Sequence, residues 1–261
     1  MTRLETKAFL DRLDRERKAM GTPSEAGIRT DFSHDRTGCA VVYGSCSVGR
    51  IDAVIRKEVA RADAQGYAID WKVYGHDQPN DLRERLMAAG FEPEPEEQVL
   101  VLALDPDALV QFPESAVVVE QVVGRTGLDD VAEISREIGR THVEQEREGF
   151  ARLMATRPDH MTIFIARVDD VPAACGRIYF YDAGGFAELC GGRTKTTFRN
   201  RGLYLAIVRA RLAEALRRGY SYVPVDALPT SEPLLRKRGF EQVTWTQPLV
   251  YRPAKASSID P

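Results

Sequence analysis

The 261-residue chain has only four histidines, two tryptophans and four cysteines. Cys39, Cys46, Cys175 and Cys190 are far apart, with no Cys-x-x-Cys pair and no histidine cluster beside them, so the ligand spacing of a zinc module is missing and no metal site is expected. Residues 1–20 alternate Arg, Lys, Glu and Asp with a few Leu and Phe and do not form the apolar core of a secretion signal. Dispersed thiols without such a signal fit a reducing cytoplasm, where most of them act as small buried hydrophobes. No segment approaches the roughly 20 apolar residues of a membrane span, so no membrane association is expected. An excess of charge is missing too: 36 Lys and Arg face 39 Asp and Glu, and a net charge of −3 gives no global basic footprint for nucleic acid.

What is present is an ordinary folded composition, 43% hydrophobic and 29% charged. The length suits two compact units of roughly 100–150 residues each. The sharpest break falls where the apolar run 99–104 gives way to Asp105-Pro106-Asp107 and then Phe112-Pro113-Glu114, which reads as a linker. It divides the chain into an N-terminal domain, 1–110, and a C-terminal domain, 111–261.

The two halves repeat one series of elements. In the first, a strand at 39–43 leads to a helix at 50–65 with Ile51, Val54, Ile55, Val59 and Ala62 at helical spacing and a stop at Gly66. A strand at 68–74, a helix near 81–89 stopped by Gly90-Phe91 and a strand at 98–104 follow. The second half repeats this with a helix at 203–218, Gly219, a strand at 220–225, a helix at 232–238, Gly239-Phe240 and a strand near 246–251. The shared order reads as a duplication. Ahead of its tail the second half has further elements: a strand at 116–122, helices near 128–139 and 144–155, and strands at 161–168, 173–181 and 186–191. The first half has only a charged helix followed by loop before Cys39, and so reads as a shortened copy.

The chemistry concentrates in 186–218. An apolar strand runs through Gly191-Gly192-Arg193-Thr194-Lys195-Thr196-Thr197-Phe198 into Arg199-Asn200-Arg201-Gly202 and a long helix. Unpaired amides at a helix start, together with the helix dipole, hold phosphate well; Gly202 permits close approach, and Arg199 and Arg201 add positive charge. A basic turn with solvated arginines is the alternative reading.

In its strand, turn and helix order this stretch resembles the GNAT superfamily of N-acetyltransferases, in which a Gln/Arg-x-x-Gly-x-Gly/Ala turn grips the pyrophosphate of acetyl-coenzyme A. Arg199, Asn200, Arg201, Gly202, Leu203 and Tyr204 occupy that motif, with Tyr204 in place of the usual small residue. The resemblance covers 116–252, and 77–104 looks like the end of a second such domain. It implies an α+β fold (a mixed α/β sandwich) of two tandem GNAT-like domains, the N-terminal one shortened. It also implies acetyl-coenzyme A as co-substrate, with the backbone of Gly192, Arg193 and Thr194 beside the pantetheine arm and the thioester in a gap where 186–192 splays from 220–225.

Acetylating an amine requires loss of a proton from an ammonium whose ordinary pKa is about 10.4. Glu188, on the strand beside the expected thioester and where several members of the family carry a catalytic glutamate, is the candidate base; a solvent-facing strand position is its alternative. Asp226, His142 and His160 are weaker candidates. The tyrosine that many relatives use to protonate the leaving thiolate is Leu235 here, leaving Ser231 or Tyr204 as substitutes. The first half has small residues, Ser45 to Gly49, where the turn would stand, and no Arg-x-x-Gly, so no productive site is expected there. The expected activity is N-acetylation of a small-molecule amine; a protein N-acetyltransferase and a non-catalytic coenzyme A sensor or scaffold are the alternatives.

Overall fold

A computed structural model describes residues 3–24, 27–33, 36–112, 114 and 116–253. The first half runs α1 (Arg3–Ala19), β1 (Thr22–Pro23), β2 (Ile28–Phe32), β3 (Gly38–Gly44), α2 (Val48–Gln65), β4 (Ala68–Tyr74), α3 (Leu82–Ala88), β5 (Glu92–Pro93) and β6 (Glu97–Ala103). A short α4 (Pro106–Val110), whose Asp105 side chain accepts from the Ala108 amide, lies in the expected linker. Then come β7 (Val119–Gln121), α5 (Gly124–Glu137), α6 (Val143–Thr156), β8 (Met161–Val168), β9 (Val171–Tyr181), β10 (Phe186–Thr194), α7 (Leu203–Arg217), β11 (Tyr222–Ala227), α8 (Glu232–Arg236) and β12 (Glu241–Tyr251). Both halves contain strand, helix, strand, helix in the same order, and in both the strands flanking the long helix pair in parallel, β3 with β4 and β10 with β11. The mixed α/β fold and its tandem repeat are as expected.

Two compact units form. One comprises residues up to Val99 with Ala227–Ser231 and the stretch from Gln242; the other is Leu100–Asp226 with Glu232–Glu241. A cut between 110 and 111 follows chain order, whereas these units each take their final strand from the other half. In the first, β12 pairs antiparallel with β4, from Thr246 opposite Tyr74 to Tyr251 opposite Ile69. In the second, β6 lies beside β11, and the Leu104 amide donates to the Ser221 carbonyl at 2.8 Å.

The first unit's sheet runs β1-β2-β3-β4-β12. Its core gathers Ile51, Val54, Ile55 and Ala62 from one face of α2 against Val41, Ile69 and Trp71. Gly66 ends α2 in left-handed backbone, φ +73°, with its amide on the Ala62 carbonyl. The stretch before Cys39, expected as loop after the first helix, contains β2, whose Ile28 and Thr30 point inward. Its five residues stand among Gly, Pro and Asp, too short for alternation to register.

The second unit's sheet runs β6-β11-β10-β9-β8-β7. On one face Leu128, Val131 and Ile134 of α5 and Phe150 of α6 pack on Met161, Ile163, Ile165 and Cys175. On the other, Leu203 and Ile207 of α7 pack on Ala166, Ala173 and Ala174. Helices on both faces leave the edges and ends of the central strands as the places where backbone can meet a ligand. Among the described residues no helix is long and apolar enough to cross a membrane.

Candidate active site

β10 is laddered to β9 over most of its length, but to β11 at a single pair, Leu189 opposite Val225. Beyond Leu189 its second edge has no ladder partner on β11. The register with β9 also slips between Cys190 and Arg193, a bulge in which Gly191 adopts φ +56°. A Cβ at Gly191 would overlap the Arg177 guanidinium. Arg193 and Thr194 then rejoin the ladder opposite Cys175 and Ala174.

The side chains next to this edge are occupied elsewhere. Arg193 is buried; its Nη1 and Nη2 grip the Glu146 carboxylate of α6 at 2.5 and 2.6 Å, and Nη1 also donates to Ser135 Oγ of α5 at 2.5 Å. Lys195 is buried against Glu133. These two cations therefore tie the strand to the α5/α6 layer, and Arg193 offers a ligand its backbone.

A short 3₁₀ turn, Thr196–Phe198, leads into the motif. Arg199, Asn200, Arg201 and Gly202 are exposed; Asn200 and Gly202 adopt left-handed backbone at φ +62° and +78°. Gly202 is the N-cap of α7 with no side-chain cap, so the amides of the first turn, starting at Leu203, have no intrahelical acceptor. A Cβ at Gly202 would meet nothing within 4 Å. Arg201 lies over the Phe198 ring, and among the described residues neither Arg199 nor Arg201 forms an ion pair. Leu203 is buried in the core, and only its backbone faces the turn. The Tyr204 ring turns away from the turn onto Gly192, its Cε2 2.8 Å from where a Gly192 Cβ would stand. Gly192 is thus required by the ring that packs on it.

Glu188 is half-buried on β10, opposite Tyr179, on the face of the sheet that α5 and α6 cover. The Tyr181 hydroxyl hydrogen-bonds to it, and burial together with the Glu188 charge holds the Tyr181 pKa far above its ordinary value. Arg177 Nε donates to the Tyr179 hydroxyl at 3.2 Å, and its guanidinium lies over the Phe150 ring. The His160 ring lies tilted against Tyr179 and edge-on to Tyr181, and burial and the Arg157 charge lower its pKa. This face therefore has a carboxylate, two phenols, an imidazole and a guanidinium within one aromatic cluster. His142 is the left-handed N-cap of α6 and lies outside it. Among the described residues one group brings three potential metal donors together, Asp14, His76 and Asp77 of the first unit, and there Arg17 already holds Asp77 at 2.7 and 2.9 Å.

The stretch 128–240 matches the acetyltransferase (GNAT) family. Residues 128–240 form a GNAT-family domain. No curated protein matches the chain by sequence. Solved structures similar to it include a conserved protein of unknown function from Staphylococcus epidermidis (12% identity, TM-score 0.66, covering 90% of this chain and 94% of that one). A GCN5-related N-acetyltransferase from Kribbella flavida is 15% identical with TM-score 0.63 over 98% and 96% of the two chains. A tandem GNAT protein from the clavulanic acid biosynthesis pathway is 14% identical with TM-score 0.63 over 97% and 96%. At these identities the likeness is one of fold, and it runs through both halves of the chain.

Within the GNAT domain, Leu235 is fully buried and has no proton to give. Ser231 closes a turn onto the Leu228 carbonyl. Arg177, Glu146 and Arg211 were not singled out from the sequence. The one legible signal was Arg211, a charged residue on the apolar stripe of α7 between Val208 and Leu212. In the first unit, the Trp71 ring is buried in the core and packs on Gly44 at the end of β3, where a Cβ would stand 3.0 Å from it.

Proposed function

We propose that the GNAT domain binds acetyl-coenzyme A and transfers its acetyl group to the amine of a small molecule. One observation carries this reading: β10, whose second edge has no ladder partner on β11 beyond Leu189, leads through the turn Thr196–Phe198 to an uncapped helix start whose Gly202 position opens onto empty space. In this reading the pyrophosphate takes the first-turn amides of α7, and Arg199 and Arg201 add charge at the rim. The pantetheine arm lies along the backbone of Gly192, Arg193 and Thr194. Glu188 accepts a proton from the ammonium, directly or through water; the amine nitrogen then bonds to the thioester carbon, and collapse of the tetrahedral adduct breaks the C–S bond. As the adduct collapses its nitrogen loses its second proton to solvent, and the thiolate takes a proton from solvent. Four cysteines outside any disulfide fit a cytoplasmic setting.

A second reading, a coenzyme A sensor without turnover, is favoured by the buried Leu235. Calorimetry with acetyl-coenzyme A, paired with turnover on a panel of small amines, separates the two. Binding with turnover supports transfer, binding without turnover supports the sensor, and no binding refutes both.

A further inference from the structure

We propose that Arg211 is a positioning residue for the cofactor strand, a buried guanidinium that holds the β10 bulge in the shape that keeps its second edge open. This rests on the acetyl-coenzyme A reading above. Arg211 belongs to the inward stripe of α7 with Ile207, Val208, Leu212 and Ala215, and is 1% exposed. Its three hydrogen bonds all go to backbone carbonyls: Nε to Ile207 at 3.2 Å, and Nη1 to Arg177 at 3.1 Å and Cys190 at 3.2 Å. Arg177 and Cys190 are the last cross-strand pair of β9 and β10 before the register slips. One Nη1 therefore clamps both strands at the mouth of the bulge, where the regular ladder lapses.

The neighbouring glycines make room for it. A Cβ at Gly176 would stand 2.9 Å from Arg211 Cζ and from Ile207 Cγ2, and one at Gly192 would stand 3.7 Å from Nη2. Among the described residues Arg211 pairs with no carboxylate, although it remains charged at neutral pH. Burying a cation without a counter-ion is expensive, and an apolar side chain of similar length would fill the stripe at lower cost. What the charge contributes is the fixed pair of donors. Without them the two carbonyls seek other partners, the bulge relaxes, and the edge of Gly192 to Thr194 shifts, while the exposed residues 199–202 of the phosphate turn, which Arg211 does not bond, stay in place.

The test compares acetyl-coenzyme A with 3′-phosphoadenosine 5′-diphosphate, the nucleotide part that lacks the pantetheine arm, by calorimetry on the full-length chain. In Arg211→Met, acetyl-coenzyme A affinity falls roughly tenfold or more, as expected for lost charge-assisted bonds, and KM rises with it. Affinity for the nucleotide stays within about twofold, and the melting temperature does not fall. Arg211→Lys, with one flexible ammonium, recovers part of the loss and serves alone if the Met variant does not fold. Equal loss for both ligands, or no loss for either, overturns the role of Arg211. Wild-type protein that binds neither ligand overturns the cofactor reading instead.

Discussion

Replacing Gly202 with aspartate tests the phosphate turn most directly, and its effect can be estimated from the geometry. At φ +78° a side chain strains the backbone by about 1–2 kcal/mol, while the empty space around the Cβ position adds no steric clash. Strain falls on folding, and charge falls on binding. A carboxylate about 4 Å from a phosphate opposes it by ~1 kcal/mol in bulk water and ~4 kcal/mol at a partly screened surface. That is a loss of roughly fivefold to about a thousandfold in affinity. The same carboxylate competes for the first-turn amides of α7, which adds to the loss. Gly202→Ala has the strain without the charge, so the difference between the two variants isolates the electrostatic part, and added salt should recover some of it. Calorimetry with acetyl-coenzyme A on folded protein gives the answer. A folded Gly202→Asp variant with a Kd within about twofold of wild type would refute the assignment of the turn.

Glu188→Gln should lower turnover at neutral pH by about 10²–10⁴-fold, with partial recovery at high pH where free amine accumulates and with cofactor affinity nearly unchanged; an unchanged neutral rate, with chemistry limiting, would return Glu188 to the role of a Tyr181 partner. Titration should show one coenzyme A per chain, because the first half has Ser45 to Gly49 and no Arg-x-x-Gly where the turn would stand, and substitutions in Ser45 to Gly49 should leave affinity intact; two sites of similar affinity would contradict this. Burial raises the Glu146 pKa, but the paired Arg193 and the charges of Arg177 and Arg140 outweigh it and leave it below its ordinary value. Its stabilising effect is therefore complete above the unfolded carboxylate pKa of about 4.3 and is lost as pH falls through the lower folded value. Urea midpoints for Glu146→Gln should lie below wild type at neutral pH and converge with it in acid, and a gap of constant size would show that the charge is not the cause.

The sequence by itself determined the elements and the place of the turn. Ile51, Val54 and Ile55 of α2, like Leu203, Ile207 and Val208 of α7, recur at helical spacing, and that period reports which face is buried whatever it is buried against. Gly66, Gly202 and Gly219 stand where backbone must turn left-handed, a requirement local to a few residues. The repeated order of elements was legible for the same reason. What a residue meets across space has no such period. That β12 pairs with β4 while β6 lies beside β11 depends on strand pairing, and alternation in a strand specifies its faces and says nothing of its edge neighbours. The motif showed a basic turn, but only packing decided that Arg193 is consumed by Glu146, that the Tyr204 ring lies on Gly192, and that β10 meets β11 at one pair. Arg211 shows both limits: its position on an apolar stripe was readable, and its three carbonyl partners, two of them on strands over twenty residues away, exist only once the sheet and helix are assembled.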